Sequence, residues 1–474
     1  MPHVPVSVRR LSPVAPSTPA SLAGRLALRW KLFLYRITCF LLSYPGPLRF
    51  LFAMLRWFRP IANLWGSTFA VSKASDVREV LERFDDFTLH DILDPGIPWG
   101  PFMMTTDWRL QHDRERGLMC KTVSFPADVE TVRTKAAETC RNIFTALAAN
   151  PAGRYEIDVV SELAEPVTVT IAETYFGTPD MALDEPGRAH ILRHLAATIL
   201  VPPPEGSERW AESRASIAAM TQGLLARISS QQATPSGDDL LARLVRQLRA
   251  GGNPAWFDEA WIRRHIMGLA ATGAATIVRA TTHAVDRLLA HPHALRRAQA
   301  LVRRIDESDT AQQRVHADPG ATSEQRHAAT QKLEALRRQL QQIIYEALRF
   351  RPMLPLLVRA CPRATIIAKD SARARIVPAG GKVIAGLIGA MFDPDVFDAP
   401  GRFCSARPLE DYVHFGHGPR ECFGRFVADA VMLEIIRALL RAPGLERASG
   451  RRGRVGYDGP AVKSLRLTFG RNPA

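Results

Sequence analysis

With 474 residues, 46% of them hydrophobic and 23% charged, the chain suits one large globular domain or two to three smaller ones, and these values exclude bulk disorder and fibrous repeats. Its formal charge of +15 is concentrated in residues 1–75, which hold ten Lys or Arg and no Asp or Glu and leave 52 basic and 47 acidic residues for the remainder. Because a protein that coats nucleic acid carries basic residues across its folded body, we predict no nucleic-acid partner.

The first 60 residues are predicted to form a basic N-terminal arm. Residues 1–24 are rich in Pro, Ser and Ala and are expected to be a flexible tail, whereas 26–58 is apolar and interrupted by arginines. The longest uncharged run, 37–48, is well short of the ~20 apolar residues of a spanning helix. We expect this segment to pack on the body's own surface or on an anionic membrane surface, and an organelle transit peptide is the alternative.

The cysteines are scattered, with no Cys-x-x-Cys pair and no histidine at zinc-ligand spacing. A chain of this size needs no disulfide framework, so we predict a reducing compartment, the cytoplasm, with membrane association through the arm as an addition. At most one or two of these residues are expected to have a chemical role. They are Cys39, Cys120, Cys140, Cys361, Cys404 and Cys422.

Residues 61–474 are predicted to form one large domain that is mostly α-helical with a minor β component. Helical periodicity dominates, and short runs rich in β-branched residues are strand-like. A polar insertion is expected at 307–325. The predicted helices are 76–84, 128–149, 158–176, 187–199, 209–230, 261–289 and 333–350, and the predicted strands are 64–72, 364–368, 382–387 and 465–469.

The first candidate site lies in segment 107–116, where His112 and Arg116 are four residues apart. This spacing puts both side chains on one face of a helix. Two basic groups on one face suit two carboxylates of a ligand, and a charged surface helix is the alternative interpretation.

The segment 261–289 contains no proline and predicts a long helix with a strip of small residues, 270–276, in its middle. Such a strip lets another group approach the backbone closely. Arg279 lies one turn beyond the strip, where we expect it to be solvated, and binding of a substrate carboxylate or hydroperoxide is the alternative.

A charged pair lies in the predicted helix 333–350, where Glu346 and Arg349 are three residues apart. Because residues at this spacing share a helix face, the two side chains can form an internal ion pair. Such pairs are also common on solvated faces.

The most informative stretch is 415–424, Phe-Gly-His-Gly-Pro-Arg-Glu-Cys-Phe-Gly, which precedes an apolar helix through Leu440. Its glycines and proline predict a tight turn that puts Cys422 at the entrance of that helix. Positive potential and free N–H groups at a helix N-terminus stabilise a thiolate. A stabilised thiolate suits a metal ligand or a nucleophile, but no His–Asn or His–Asp constellation supports the nucleophile.

This decapeptide resembles the heme-binding signature of the cytochromes P-450, and all defining positions of the signature are met. The resemblance covers roughly residues 61–474 and implies a single large P-450-like helical fold with a long central helix and small β-sheets. Other motifs follow the family's order: the His112/Arg116 pair, the central helix, Glu346-x-x-Arg349, Pro400-x-x-Phe403 with Arg407, and the cysteine loop.

The resemblance implies that Cys422 is the axial thiolate on the iron of heme b, iron protoporphyrin IX. It also implies four further groups of residues: cofactor-binding residues in the cysteine loop, residues that bind the propionates, a structural clamp, and a distal catalytic position. The residues concerned are Phe415, Gly416 and Gly424 in the cysteine loop, His112, Arg116, Arg359 and Arg420 at the propionates, Glu346, Arg349 and Arg407 in the clamp, and Gly273 and Thr276 at the distal position.

The implied function is heme-thiolate monooxygenation, in which O2 is activated on the Cys-ligated iron and a hydrophobic small molecule is hydroxylated or epoxidised. No flavin or nicotinamide fingerprint is present, so we expect a separate ferredoxin or reductase to dock on basic residues near Arg420 and Arg425. We expect a monomer. The segments that the resemblance places around the substrate are 97–104, 271–276, 354–358 and 460–464.

Two positions depart from the family's pattern. Ala275 occupies the place of the usual acid before Thr276, and Met391-Phe392 stands where polar residues are usual. The first departure leaves two alternatives open: a heme-thiolate enzyme that uses peroxide or rearranges a hydroperoxide, and a non-catalytic heme-binding sensor.

Overall fold

The computed structural model describes residues 21–89, 92, 97, 99–149 and 153–470. Most of the predicted flexible tail, residues 1–20, therefore lies outside the described residues. Helices dominate, and the strands are short and gathered in small sheets. The predicted mostly α fold with a minor β component is confirmed.

The central helix is the longest of the described helices. Its first turn is capped by Asp258, whose side chain accepts a hydrogen bond from the backbone N–H of Trp261 at 2.7 Å. The helices are α1 (Leu22–Ser43), α2 (Gly46–Phe58), α3 (Ala74–Glu82), α4 (Arg109–Thr122), α5 (Phe125–Ala146), α6 (Glu165–Ile171) between π-helical turns Val159–Ala164 and Ala172–Phe176, α7 (Glu185–Leu200), α8 (Glu208–Ala233), α9 (Leu240–Ala250), α10 (Glu259–Leu289), α11 (Pro292–Ala317), α12 (Ser323–Phe350), α13 (Leu387–Ala390) and α14 (Arg425–Leu440).

The strands form four small sheets in the described part of the chain. The largest has the order β1-β2-β7-β4, in which β2 and β7 are parallel and the other neighbours antiparallel. The second has the order β3-β11-β8, and two hairpins pair β5 with β6 and β9 with β10. The strands are β1 (Ile61–Trp65), β2 (Thr68–Val71), β3 (Tyr155–Asp158), β4 (Leu357–Cys361), β5 (Thr365–Ile367), β6 (Arg375–Val377), β7 (Gly381–Ala385), β8 (Glu446–Arg447), β9 (Gly456–Asp458), β10 (Ala461–Ser464) and β11 (Arg466–Phe469).

The polar insertion expected at 307–325 is largely helical, which corrects that prediction. Helix α11 continues to Ala317, and α12 begins at Ser323 after a capping box between Thr322 and Gln325. None of the last nine residues of α11 is buried, so this end of the helix is polar because solvent surrounds it. The residues of this segment are polar because they are exposed to solvent, and most of the segment is still helical.

Helix α10 runs through the larger hydrophobic core and packs against α7, α12 and α14. Most of its side chains are buried, including Trp261 and Ile266. A second core lies under the largest sheet and joins it to α3 and α13. The central helix thus carries its strip of small residues into the middle of the molecule.

The N-terminal arm packs on the body through both of its helices. Phe52 of α2 is buried against Gly386 and Gly389, and Arg56 donates to the carbonyl of Gly389 at 2.8 Å. A Cβ at Gly386 would overlap the Phe52 ring. Helix α1 contacts the end of α7 through Leu42.

The axes of helices α1 and α2 are bent by 81° relative to each other. Among the described residues no single helix is long and apolar enough to cross a membrane, and α1 and α2 meet that criterion only as a bent pair.

Candidate active site

The cysteine loop is a tight turn whose glycines are required by its geometry. Gly416 and Gly418 have φ angles of +81° and +73°, in the left-handed region that favours glycine. Gly418 also lies against the backbone of α3, where a Cβ would stand 2.9 Å from the Cα of Glu82. The backbone N–H of Cys422 donates to the carbonyl of Phe415 at 2.9 Å and closes the loop. The loop therefore holds the Cys422 sulfur in a fixed position in front of α14.

The protein groups around Cys422 do not by themselves make it a thiolate. Burial raises the pKa of the Cys422 thiol to about 11, although the backbone of Gly424 and the charge of Arg116 lower it. Helix α14 begins only at Arg425, three residues later than the thiol, so the stabilisation expected from the helix N-terminus is too small. A bound metal cation deprotonates a coordinating thiol outright, and the position of Cys422 suits such a ligand.

His112 and Arg116 lie on α4 beside this loop. His112 is buried, and its Nδ1 is 3.0 Å from Oδ1 of Asp113. Its Nε2 is buried with no hydrogen-bond partner among the described residues. The Arg116 guanidinium lies 5.7 Å from the centre of the Phe423 ring, next to Cys422 in sequence. The predicted pair thus faces the cysteine loop.

Arg420 is buried and already has a carboxylate partner in the protein. Its guanidinium forms an ion pair with Asp107 and donates to the carbonyls of Phe87 and Thr106, both at 3.1 Å. Burial lowers the pKa of Arg420 to about 10 even though Asp107 raises it. The role of Arg420 at a propionate stays a prediction. Sequence reasoning missed Asp107, because nothing in a local pattern shows which distant arginine it meets.

Arg359 on β4 is buried, and in the described part of the chain it has no ion pair within 4 Å, although the charge of Asp107 acts on it. Its guanidinium donates to the carbonyl of its neighbour Val358 at 3.1 Å. Burial and the nearby charge of Arg420 lower the pKa of Arg359 to about 10. Burial, opposed by Asp113 and assisted by Arg116 and Arg420, lowers the pKa of His112. The side chains of His112, Arg116, Arg359 and Arg420 therefore form one basic cluster, in which Arg116 also acts on the Cys422 thiol.

The residues present fit a heme group. A buried cation costs free energy unless an anion compensates it, and the two propionates of a heme supply such anions. The unpartnered Nε2 of His112 and the uncompensated Arg359 are donors for them. The thiol of Cys422, beside Arg116 of this cluster, would then be the ligand for the heme iron.

Glu346 and Arg349, two of the predicted clamp residues, form a fully buried ion pair. Arg349 donates to both carboxylate oxygens of Glu346 at 2.8 Å. Glu346 also accepts from the backbone N–H of Cys404 and from the hydroxyl of Tyr412, each at 2.8 Å. Arg407 is more distant, with its Nε 3.8 Å from Glu346. Sequence reasoning missed Tyr412, for which no local signal exists.

Arg349 also explains the departure at Met391-Phe392. Its guanidinium donates to the carbonyls of Met391, Pro400 and Arg402 at 2.8–3.1 Å. The ring of Phe392 lies 4.5 Å from the same guanidinium, a distance at which cation–π attraction operates. An aromatic residue at this position therefore supports the clamp.

The strip of small residues on α10 has its hydroxyls turned to the helix backbone. Thr276 donates to the carbonyl of Thr272 at 2.6 Å, and Thr272 donates to that of Gly268 at 2.6 Å. A Cβ added at Gly273 would have only an atom of Phe176 within 4.0 Å. The helix is thus open at Gly273, whereas Gly268 is tightly covered by Phe102.

A cavity adjoins this strip on the side of Ala275 and Thr276. Two of the predicted substrate segments, 271–276 and 460–464, contribute to its lining. Segment 97–104 packs on α10 through Phe102 instead, and 354–358 is not part of the lining; Pro98 lies outside the described residues. The lining residues are Glu165, Thr168 and Val169 of α6, Ala189, Leu192, Arg193, Ala196, Ala197 and Leu200 of α7, Ala274, Ala275, Thr276, Val278 and Arg279 of α10, and Pro460, Ala461 and Val462.

Three charged side chains line the cavity. Glu165 and Arg193 form an ion pair, and burial raises the pKa of Glu165 although Arg193 lowers it. Sequence reasoning missed this pair. Arg279, expected to be solvated, is only 6% exposed and donates to the carbonyls of Pro460 and Leu42. The expectation was wrong because α1 and the turn before β10 cover this side of α10.

Comparison with known proteins places the chain in a family. The sequence model described as "Cytochrome P450" matches residues 66–449, which include the cysteine loop, the clamp and the basic cluster. The chain belongs to the cytochrome P450 family. The predicted family, heme cofactor and class, a heme-thiolate oxidoreductase of monooxygenase type, are thereby confirmed.

Similar curated proteins are of two kinds. Cytochrome P450 monooxygenase PikC of Streptomyces venezuelae is 25% identical over 357 residues, 75% of this chain and 72% of PikC. A bifunctional dioxygenase–epoxy alcohol synthase of Fusarium oxysporum is 35% identical over 97 residues, 20% of this chain. Linoleate diol synthase of Gaeumannomyces graminis is 37% identical over 86 residues, 18% of this chain. The matches span only 8% and 7% of the lengths of these two fungal proteins.

Solved structures share the fold. CalO2 superposes with a TM-score of 0.70 at 21% identity, over 92% of this chain and 98% of CalO2. A mutant of P450 EryK in complex with erythromycin B gives a TM-score of 0.67 at 22% identity, over 91% of this chain and 98% of EryK. The predicted P-450-like fold is confirmed.

Proposed function

We propose that this P450 is a monooxygenase that binds heme b and hydroxylates or epoxidises a hydrophobic small molecule. The observation that supports this most strongly is the rigid Cys422 loop beside a buried basic cluster with uncompensated charge. Heme, when bound, supplies redox chemistry that activates oxygen. A sensor would need neither a long central helix with an opening at Gly273 nor a cavity beside it.

The chain's own residues have separable tasks in this proposal. Cys422 provides the iron ligand, and the rigid turn at Gly416 fixes where its sulfur stands. His112, Arg116 and Arg359 orient the propionates by charge-assisted hydrogen bonds. The glycine opening at Gly273 admits substrate to the distal side. Apolar lining along α6 and α7 excludes water and favours an apolar substrate.

The site differs from the family's usual pattern in the groups that could supply protons. The hydroxyl of Thr276 already donates to a helix carbonyl, so it can accept a proton-donating partner but has no spare proton of its own. Ala275 adds none. Glu165 is the carboxylate on the lining of the adjoining cavity, where burial raises its pKa and the ion pair with Arg193 lowers it. We therefore propose that this site is short of groups that deliver protons to Thr276.

The second candidate function is rearrangement of a fatty acid hydroperoxide, which needs no reductase. Two observations favour it: the absence of an acid at Ala275, and the similarity to proteins named linoleate diol synthase and dioxygenase–epoxy alcohol synthase. The two functions differ in their need for protons delivered during catalysis.

Substitution of Ala275 by aspartate separates these functions. If the enzyme is a reductase-driven monooxygenase, Ala275→Asp should raise product formed per electron consumed several-fold, because a carboxylate then stands beside Thr276. Peroxide-driven turnover should stay unchanged or fall. Ala275→Asn, which has the same shape without an acid, is the matched control. An equal rise in both variants, or a loss in Ala275→Asp alone, would contradict the proposed shortage of protons.

We propose a separate electron donor, a ferredoxin or reductase, and a monomeric, cytoplasmic enzyme. The six cysteines are all unpaired, which suits a reducing compartment. Arg420 is buried and cannot contact an electron-donor protein. We therefore propose that the donor docks near Arg425 and not on Arg420. Arg425, whose side chain is 38% exposed and 2.7 Å from Glu421, remains at the surface in front of α14.

We also propose that the arm binds anionic lipid. Helices α1 and α2 carry exposed aromatic side chains between arginines and no acidic residue, which suits the interface of an anionic bilayer. The exposed large apolar residues are Leu22, Leu26, Trp30, Phe33, Leu34, Ile37, Phe40, Tyr44, Phe50, Leu51, Met54, Trp57 and Phe58.

Because α2 contributes Phe52 to the core, point substitutions test this better than removal of the arm. Trp57→Ser with Phe58→Ser, at 83% and 72% exposure, should weaken binding to phosphatidylserine vesicles about tenfold or more without loss of heme. Ile376→Ser, at an exposed apolar site on β6, is the control in a vesicle sedimentation assay. Unchanged sedimentation of the double variant would show that the arm only packs on the body.

A further inference from the structure

Buried arginines in this chain almost all have a carboxylate partner. Of seven arginines that are less than 10% exposed in the described residues, five lie within 4 Å of an Asp or Glu oxygen. Those five are Arg337, Arg349, Arg407, Arg420 and Arg437. The two exceptions are Arg359, which belongs to the basic cluster at the proposed heme, and Arg279.

Arg279 has no anion among the groups that face it. Its guanidinium donates to the carbonyls of Leu42 and Pro460, and its Nε is buried without a hydrogen-bond partner in the described part of the chain. Nearby titratable groups are the phenol of Tyr457, the thiol of Cys39, the imidazole of His283 and the guanidinium of Arg351, which repels it. Carbonyls solvate a cation but do not neutralise it, so a charge remains buried here.

Burial lowers the pKa of Arg279 to about 10, which leaves the side chain charged at neutral pH. An uncompensated charge in a water-poor site is costly, and binding of an anion removes that cost. The same property identifies Arg359 as a partner for a propionate. We therefore expect Arg279 to bind an anion as well.

Among the described residues that line the cavity, Arg279 carries the one charge without a counter-ion. Glu165 and Arg193 neutralise each other, and Ala275 adds no negative charge that would repel an anion. The other lining side chains are mainly alanine, leucine and valine. The volume open to small molecules is about 50 Å³, several times the ~10–15 Å³ that one water needs. A carboxylate with the first carbons of an apolar chain matches this combination.

We propose that Arg279 anchors the carboxylate of a fatty-acid-like substrate in this cavity. The inference rests on the proposed function and names its substrate class. The carboxylate accepts hydrogen bonds from the Nε–H and from a remaining guanidinium N–H, in the paired geometry that arginine offers to carboxylates. Arg279 lies three residues beyond Thr276 on α10, about 4.5 Å along the helix axis, so the anchored end stays close to the strip of small residues.

The test compares dodecanoate with its methyl ester on the purified holoenzyme by isothermal titration calorimetry. Wild type should bind dodecanoate at least about tenfold more tightly than the ester, because a charge-assisted pair contributes about 1.5–3 kcal/mol. Arg279→Gln should abolish that preference, and Arg279→Lys should retain part of it. Arg249→Gln, which removes an exposed arginine at the end of α9, should leave the preference intact.

Equal affinity of wild type for acid and ester would overturn the inference, and this comparison does not depend on whether a variant folds. An unchanged preference in Arg279→Gln would overturn it too. The carbon monoxide spectrum of the same samples distinguishes this failure from failure of the proposed function. A normal heme-thiolate spectrum without carboxylate preference removes only the anchor, whereas absence of that spectrum in wild type removes the proposed function itself.

Discussion

Replacing Cys422 by serine should abolish the red-shifted carbon monoxide band of the reduced protein. That band depends on thiolate ligation, and a serine hydroxyl is not deprotonated as readily as a thiol next to a metal. The loop should keep its shape, because Gly416 and Gly418 set it and the backbone N–H of residue 422 still bonds to Phe415. We therefore expect loss of the band with little change in the far-ultraviolet circular dichroism of the protein.

Cys404→Ser is the matched control for this experiment. Cys404 lies eighteen residues upstream, and its backbone N–H, which serine retains, donates to Glu346. This variant should retain the full band. If Cys404→Ser loses the band and Cys422→Ser keeps it, the assignment of the iron ligand is wrong.

Replacing Glu346 by glutamine should lower the free energy of unfolding by about 3–5 kcal/mol, because it leaves the buried Arg349 charge without its counter-ion. The carboxylate accepts hydrogen bonds from Arg349, Tyr412 and the backbone of Cys404, and an amide has only one accepting oxygen for these donors. Urea denaturation followed by circular dichroism measures the change. We also expect less heme in the purified variant.

The same helix offers a matched control. Glu334 and Arg337 on α12 have the same spacing and a contact of 2.7 Å against 2.8 Å for the buried pair, but Glu334 is 49% exposed. Glu334→Gln should therefore cost no more than about 1 kcal/mol, because Glu334 is half-exposed and the buried Arg337 keeps Asp309 as a second carboxylate. Equal losses in the two variants would show that burial does not make the Glu346–Arg349 pair special.

Local patterns were sufficient for the parts of the site that consist of neighbouring residues. The i, i+3 spacing of Glu346 and Arg349 predicted their contact, and the glycines around Cys422 predicted its turn. The long apolar segment 261–289 predicted α10 to within two residues. In each case a short-range rule of backbone geometry determines the outcome.

The remaining features depend on segments that meet only after folding. Arg279 is buried because Leu42 and Pro460 approach it from opposite ends of the chain. Glu165 and Arg193 meet across two helices, and Asp107 reaches Arg420 from more than three hundred residues away. Helical periodicity shows which face of a helix is apolar, but not which distant element covers it. Sequence reasoning therefore placed Arg279 in solvent.

The central claim, reductase-driven monooxygenation, is tested most directly by following oxygen from labelled O2 into product. Dodecanoate is incubated with the holoenzyme, ferredoxin, ferredoxin reductase and NADPH under ¹⁸O2, and the product is analysed by mass spectrometry. We predict a hydroxylated product that contains one labelled oxygen atom and forms only when the reductase system is present. Conversion of a fatty acid hydroperoxide without reductase, with no label in the product and no labelled product from dodecanoate, would contradict this account and establish the rearrangement instead.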